Sequence, residues 1–278
     1  GGGMTLLYVR DLTVNFGVVS ANLGINLDVN AGEVVGLIGP NGAGKTTFID
    51  AVTGFVKVTT GRVQFGDTDL TDLSPARRAR TGLSRTFQSL ELFEDLTVLD
   101  NLLAAASQPA WSSVLRDLVL PRRGASVGRE QAQWALHVLG IEAVANRMPG
   151  ELSHGQRKLV GVARALAMKP QLVLLDEPAA GLDTAETAAM AERVRGLAQH
   201  GIAVLLDIAM NHAFGQCPLV QMWWDAELNA PADNSPYFNQ VPTHDFNVGY
   251  DFNHMAPATI ALRNRVFKHW ITEYHVDG

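Results

Sequence analysis

The chain has 278 residues, a length for about two domains at roughly 150 residues each and enough to bury a substantial core. Apolar residues make up 47% and charged residues 18%, and no run approaches the roughly 18 consecutive apolar residues of a membrane span, which speaks against an integral membrane protein. The 22 basic residues against 28 acidic ones give a net charge of -6, which argues against a broadly basic nucleic-acid-binding surface, so no nucleic-acid partner is expected.

Cys217 is the single cysteine, so no intramolecular disulfide can form. With no basic-then-apolar leader, a reducing, cytoplasmic setting is expected. Gly1, Gly2 and Gly3 ahead of Met4 read as an addition rather than as part of the fold.

The spacing predicts short strands over Leu7 to Val14 and Ile25 to Val29, followed by the apolar strand Val34 to Ile38. A glycine loop leads into a helix from Lys45 to about Val52, and Arg62 to Phe65 reads as a strand. Helical sequence is predicted from Pro75 to Leu83 and from Thr97 to about Val144. A helix from Ser153 to Met168, a buried strand Leu172 to Leu175, a helix from Thr184 to His200 and a last apolar strand Ile202 to Leu206 complete this part. Apolar strands alternating with helices predict a mainly parallel α/β sheet.

The loop GLIGPNGAGKTT has Gly39, four intervening residues, Gly44, Lys45 and Thr46, between an apolar strand and a helix. That pattern and context are those of a phosphate loop. Gly39, Pro40, Asn41, Gly42, Ala43, Gly44, Lys45, Thr46 and Thr47 would cradle phosphates with backbone N–H groups and the helix amino terminus. Lys45 would neutralise the β- and γ-phosphates, and Thr46 would ligate Mg²⁺. The phrase LVLLDEP ends an apolar strand in Asp176 and Glu177, at the sheet edge where doubly wound folds bind ligands. Asp176 would hold the metal through water, and Glu177 would orient and deprotonate the attacking water. Ser153, opening the helix of LSHGQ, reads on its own as an N-cap.

A phosphate loop, Gln88, LSHGQ and LVLLDEP in that order resemble the ATP-binding cassette (ABC) ATPases over residues 4–206. LSHGQ is similar to the family signature LSGGQ, with His154 in place of a glycine. The resemblance implies a RecA-like P-loop core with an antiparallel β subdomain and a helical subdomain at about 87–156. It implies that Ser153, Gly155 and Gln156 meet, in trans, the ATP held by a second nucleotide-binding subunit, identical or related. Gln88 is similar to the glutamine that touches Mg²⁺ and senses the transport subunit, Gly181-Leu182-Asp183 to the loop that communicates across the dimer, and Phe16 to the aromatic that stacks on adenine; Phe16 reads equally as core packing. RTFQSLELFEDLTVLDNLL resembles most the ATPases of branched-chain amino-acid importers. The implied activity is ATP hydrolysis with Glu177, Lys45 and Gln88 as catalytic residues, energising membrane permease subunits served by a solute-binding protein, from a peripheral position on the inner face of the membrane.

The pattern changes after GIAVLL. Residues 213–278 hold 11 of the 20 aromatic residues, and 223–254 have no sustained period, so an irregular aromatic-rich appendage is expected there. The importer ATPases continue with an Ile-Glu-His-Asp type sequence, but here the register reads Asp207, Ile208, Ala209, Met210. Ala209 stands at the histidine's position, and His212 lies three residues on, a slip that reverses facing in a strand. Residues 207–278 instead resemble a fragment of an α-amylase-family glycoside hydrolase, in which Asp207 would be structural, Asn211 near calcium and His212 sugar-binding. A (β/α)8 barrel needs about 200 residues or more, so this tail is a partial barrel segment at most and cannot be a glycosidase. Trp223-Trp224 is expected as an exposed apolar patch. The alternative readings are an ATP-binding module impaired in hydrolysis, or a non-functional chimera carrying an incomplete α-amylase-family fragment.

Overall fold

The computed structural model describes residues 4–39, 42–86, 92–106, 123–209, 212–213, 218–239, 250–253 and 255–274. Two four-stranded sheets carry the first part of the chain. In β1 (Thr5–Phe16), Leu7, Val9, Leu12 and Val14 are fully buried while Arg10 and Asp11 face solvent, the half-buried pattern of a sheet with one wet face. Antiparallel pairing joins β1 to β2 (Val19–Asn30) and to β4 (Thr60–Phe65), with β5 (Thr68–Asp69) at the edge.

The second sheet has the order β3-β8-β7-β6, from Val34–Gly39, Ala203–Ala209, Leu172–Leu175 and Leu83–Arg85. Its β6–β7 and β7–β8 pairs are parallel, with Leu175 opposite Leu206. All four residues of β7 are buried, as a strand covered on both faces requires. The sequence predicted β7 to the residue, but it ran a helix from Pro75 to Leu83 and assigned no strand to β6. α2 stops at Ala79 (Pro75–Ala79), and the three residues of β6 are too few to show a period.

Helix α1 (Lys45–Thr53) lies between the sheets in one hydrophobic core: its Phe48, Ile49 and Val52 pack with Leu7 and Val63 of the first sheet and Leu172, Leu174 and Leu205 of the second. Its carboxyl end is fixed by Arg78 of α2, only 2% exposed. Arg78 donates Nη1 to the carbonyls of Ala51 (2.7 Å) and Val52 (2.8 Å), Nη2 to Thr71 O (3.0 Å) and Nε to Leu73 O (2.9 Å). Carbonyls that a helix end leaves without partners are thus met by one buried cation.

The long helical stretch of the sequence resolves into α3 (Val98–Ala106) and α4 (Arg123–Val138), which pack on each other and on α5 (His154–Leu166). Asn101 of α3, fully buried, accepts from Phe93 N and donates to the carbonyls of Phe93, Leu96 and Thr97, ordering the turn ahead of its helix. α6 (Thr184–Gln199) leads to β8.

The chain divides into two compact units: Gly1–Leu37, Gly44–Asp207 and Asp277–Gly278 form one, and Ile38–Ala43 with Ile208–Val276 form the other. The second contains α7 (Pro218–Met222), the antiparallel pairs β10–β11 (Trp224–Asp225, Ala230–Pro231) and β9–β12 (His212–Ala213, Tyr250–Asp251), and α8 (Pro257–Tyr274). Its small core joins Val220 and Phe238 to Trp224, Tyr237 and Phe252, with the Phe238 and Phe252 rings 4.6 Å apart. Trp224 is therefore half-buried in a cluster rather than part of an open apolar patch, because the β10–β11 turn brings it onto Phe238.

Candidate functional site

The carboxyl ends of β6, β7 and β8 bring charged side chains together, where the strands stop and backbone pairing no longer excludes ligands. Gly44 sets the entry to α1. Its φ of +83° is left-handed, and a Cβ there would lie 2.2 Å from Ala21 O, so only glycine fits. Asn22 Nδ2 donates to Gly44 O at 3.1 Å, pinning the turn to β2. No side chain caps α1, which leaves the first-turn N–H groups of a positive helix end for an anion. Lys45 is buried in this turn, while Thr46 is exposed.

Lys45 Nζ lies 3.8 Å from Asp207 Oδ1, an ion pair whose side chains are 8% and 1% exposed. Burial pushes the Asp207 carboxyl up from its usual 3.8 to about 6; Lys45 and Arg85 pull against that rise, and the nearby Asp176 and Glu177 add to it. Asp176, buried at the end of β7, accepts from Arg85 Nη2 at 2.8 Å and, through its backbone N–H, donates to Thr86 Oγ1 at 3.2 Å. Arg85 also pairs with Asp50 of α1, so one buried guanidinium ties β6 to both β7 and α1.

Glu177 follows with φ +43°, a left-handed conformation that costs a non-glycine residue about 1 kcal/mol or more. Its carbonyl accepts from Lys158 Nζ at 3.2 Å and from Ala180 N at 3.1 Å, which holds the strained turn. Burial pulls the Lys158 pKa down, opposed by the charge of Glu177. Lys158 belongs to α5, the helix that begins with Ser153 as its N-cap. Ser153 Oγ accepts from Gln156 N at 3.2 Å, and Gln156 Oε1 accepts from Ser153 N at 3.0 Å, a reciprocal capping box. Gly155 fits closely under α6: a Cβ there would meet Glu186 Oε1 at 2.7 Å. His154 Nε2 stands 3.2 Å from where a Cβ of Gly181 would be.

Lys45, Asp176 and Glu177 are thus gathered around Asp207, and the LSHGQ turn is tied to the same edge through Lys158. Gly39 closes β3, and Gly42 and Ala43 are exposed. Phe16, at the end of β1, is 54% exposed, so it is not a core aromatic. Ala209 closes β8. Pro40, Asn41, Gln88 and Asn211 lie outside the described residues. Sequence reasoning missed Asn22, Asp50, Arg85 and Lys158, which belong to no phosphate-binding pattern; Arg85 in RTFQ, three residues from Gln88, was the one signal available.

The family model described as ABC transporter matches residues 23–180. The chain belongs to the ABC transporter family. The high-affinity branched-chain amino acid transport ATP-binding protein LivG of Escherichia coli (strain K12) is 37% identical over 204 residues, 72% of this chain and 80% of that protein. A protein of Methanocaldococcus jannaschii described as a probable LivG is 36% identical over 217 residues, covering 75% and 84%. Among solved structures, the ADP conformation of an ATP-binding cassette of an ABC transporter is similar with a TM-score of 0.65 and 34% identity, covering 74% of this chain and 82% of that one. A dimeric bacterial ABC transporter cassette is similar with a TM-score of 0.58 and 25% identity, over 73% and 88%. Helix α1, the strand-end carboxylates and the LSHGQ turn are therefore parts of an ATPase cassette, a nucleotide-binding subunit. No helix among its described residues is long and apolar enough to cross a membrane.

Proposed function

We propose that this cassette binds and hydrolyses Mg²⁺-ATP to energise an importer, with branched-chain amino acids as the solute. The observation that carries the reading is the convergence of the uncapped amino end of α1, Lys45, Asp176 and Glu177 at one sheet edge. The donor set suits the group: first-turn N–H groups and Lys45 for phosphates, and the Thr46 hydroxyl with the Asp176 carboxylate for a hard divalent cation. Thr46 and Asp176 would hold Mg²⁺ there, and it would supply positive charge toward the transferred phosphoryl group. Lys45 supplies further positive charge, and Glu177 orients the attacking water and takes its proton. Gln88 would report metal occupancy to the permease, and Phe16, exposed at its hairpin, would stack on adenine. Ser153, Gly155 and Gln156 would complete the site of a second cassette, so ATP binding closes a dimer and hydrolysis reopens it. The solute follows from the likeness to LivG, and the setting is the inner face of the membrane beside permease subunits.

The test is steady-state Mg²⁺-ATP turnover by the purified chain beside Glu177→Gln. Turnover that disappears in the variant supports the reading, and equal turnover in both sinks it. A second reading, an ATP-binding module that hardly turns over, is favoured by Ala209, which has no titratable group where a histidine is expected. Restoration of turnover by Ala209→His would support that reading.

A further inference from the structure

β8 lies between the phosphate-loop strand β3 and the carboxylate strand β7, and Asp207 near its end faces Lys45. Two observations make this carboxylate unusual. Its Oδ1 is buried and accepts no hydrogen bond among the described residues, because the 3.8 Å to Lys45 Nζ exceeds a hydrogen bond. It also shares the sheet edge with the like charges of Asp176 and Glu177, and of the cations beside them Arg85 is already engaged by Asp50 and Asp176 while Lys158 bonds the Glu177 carbonyl. The strand, rather than an optimal bond, fixes where the carboxylate stands.

An anion in this position acts on any phosphate that arrives. Lys45 is already compensated before a ligand binds, and a phosphate reaching it comes within a few ångströms of a fixed like charge that buried surroundings screen poorly. We propose that Asp207 is a resident anion of the phosphate loop, competing with nucleotide phosphates for Lys45 and holding nucleotide affinity low. Nucleotide binding then requires Lys45 to be drawn away from Asp207. This rests on the reading of residues 39–46 as a phosphate loop, and adds an affinity-setting residue on a neighbouring strand.

The experiment is a titration of the full chain with N-methylanthraniloyl-ATP, with Mg²⁺ and again in EDTA, for the wild type, Asp207→Asn, Asp207→Ala, Lys45→Ala and the Lys45→Ala/Asp207→Asn pair. Far-UV circular dichroism and a cooperative melt check each fold, and the alanine variant serves if the asparagine variant does not fold. The expected result is at least tenfold tighter binding in the Asp207 variants, with and without metal. The gain should vanish when Lys45 is absent, since the competition runs through it. Unchanged or weaker binding in Asp207→Asn, while Lys45→Ala still lowers wild-type affinity, overturns the proposal and leaves the phosphate loop standing. A loss confined to the Mg²⁺ arm would make Asp207 a metal-supporting group and likewise overturns it. If Lys45→Ala changes nothing, or no variant binds, the phosphate-loop reading fails and this inference falls with it.

Discussion

At its carboxyl end α1 meets Arg78, whose described hydrogen bonds all go to backbone carbonyls; at its amino end it meets a crowd of ions with acceptors left over. Asn22 Oδ1 and Asp207 Oδ1 are both buried there without a hydrogen bond among the described residues. Buried polar groups are ordinarily satisfied, so a concentration of unmet acceptors beside a buried lysine marks the end of the helix that is built for something else to arrive. One nine-residue helix is scaffold at one end and site at the other.

That contrast can be broken at either end. The largest effect is expected for Arg78→Leu, which strands two helix-end carbonyls and two turn carbonyls and should lower the urea-unfolding free energy by about 4 kcal/mol. A cost under about 1 kcal/mol would mean that water replaces the guanidinium and the carboxyl end is not a clamp. Gly44→Ala is next, at about 3 kcal/mol from the left-handed backbone and the 2.2 Å clash with Ala21 O, together with loss of nucleotide binding. Asp207 gives a pH signature. Its carboxyl holds its proton to about pH 6 in the folded chain but only to about 4 when unfolded. Its share of stability is therefore full below about pH 4 and declines as the pH rises through 6, by at most about 3 kcal/mol. Asp207→Asn should flatten that window; parallel stability curves for the two proteins from pH 4 to 7 would refute it. The smallest effect is the Ser153 cap: Ser153→Ala should cost about 1 kcal/mol, and Ser153→Asp should restore most of it in the same melts.

Much of the architecture was legible in the residues. LVLLDEP declared β7 because four consecutive apolar residues bounded by polar ones suit a strand buried on both faces, and the GKTT of GLIGPNGAGKTT declared the start of α1, which Gly44 opens in a left-handed conformation. β6 was not legible. Three residues carry no period, and Arg85 looks like a surface residue until Asp50 and Asp176 are brought to it from 35 and 91 positions away. The family likeness of the tail suggested a purely structural Asp207, and nothing local to residue 207 speaks of Lys45, which reaches it only through sheet order. Ser153 carried two meanings in the sequence; its cap is met within its own helix, and its meeting with a second subunit remains part of the proposed function.

The turn at Glu177 has a consequence for selection. With φ at +43°, glycine or asparagine would sit there with less strain than glutamate. A library of this cassette screened for heat tolerance alone should therefore enrich Glu177→Gly or Glu177→Asn, discarding the carboxylate as it gains robustness. Persistence of glutamate under such a screen would mean that Lys158 and Ala180, by bonding its carbonyl, have already offset the conformational penalty.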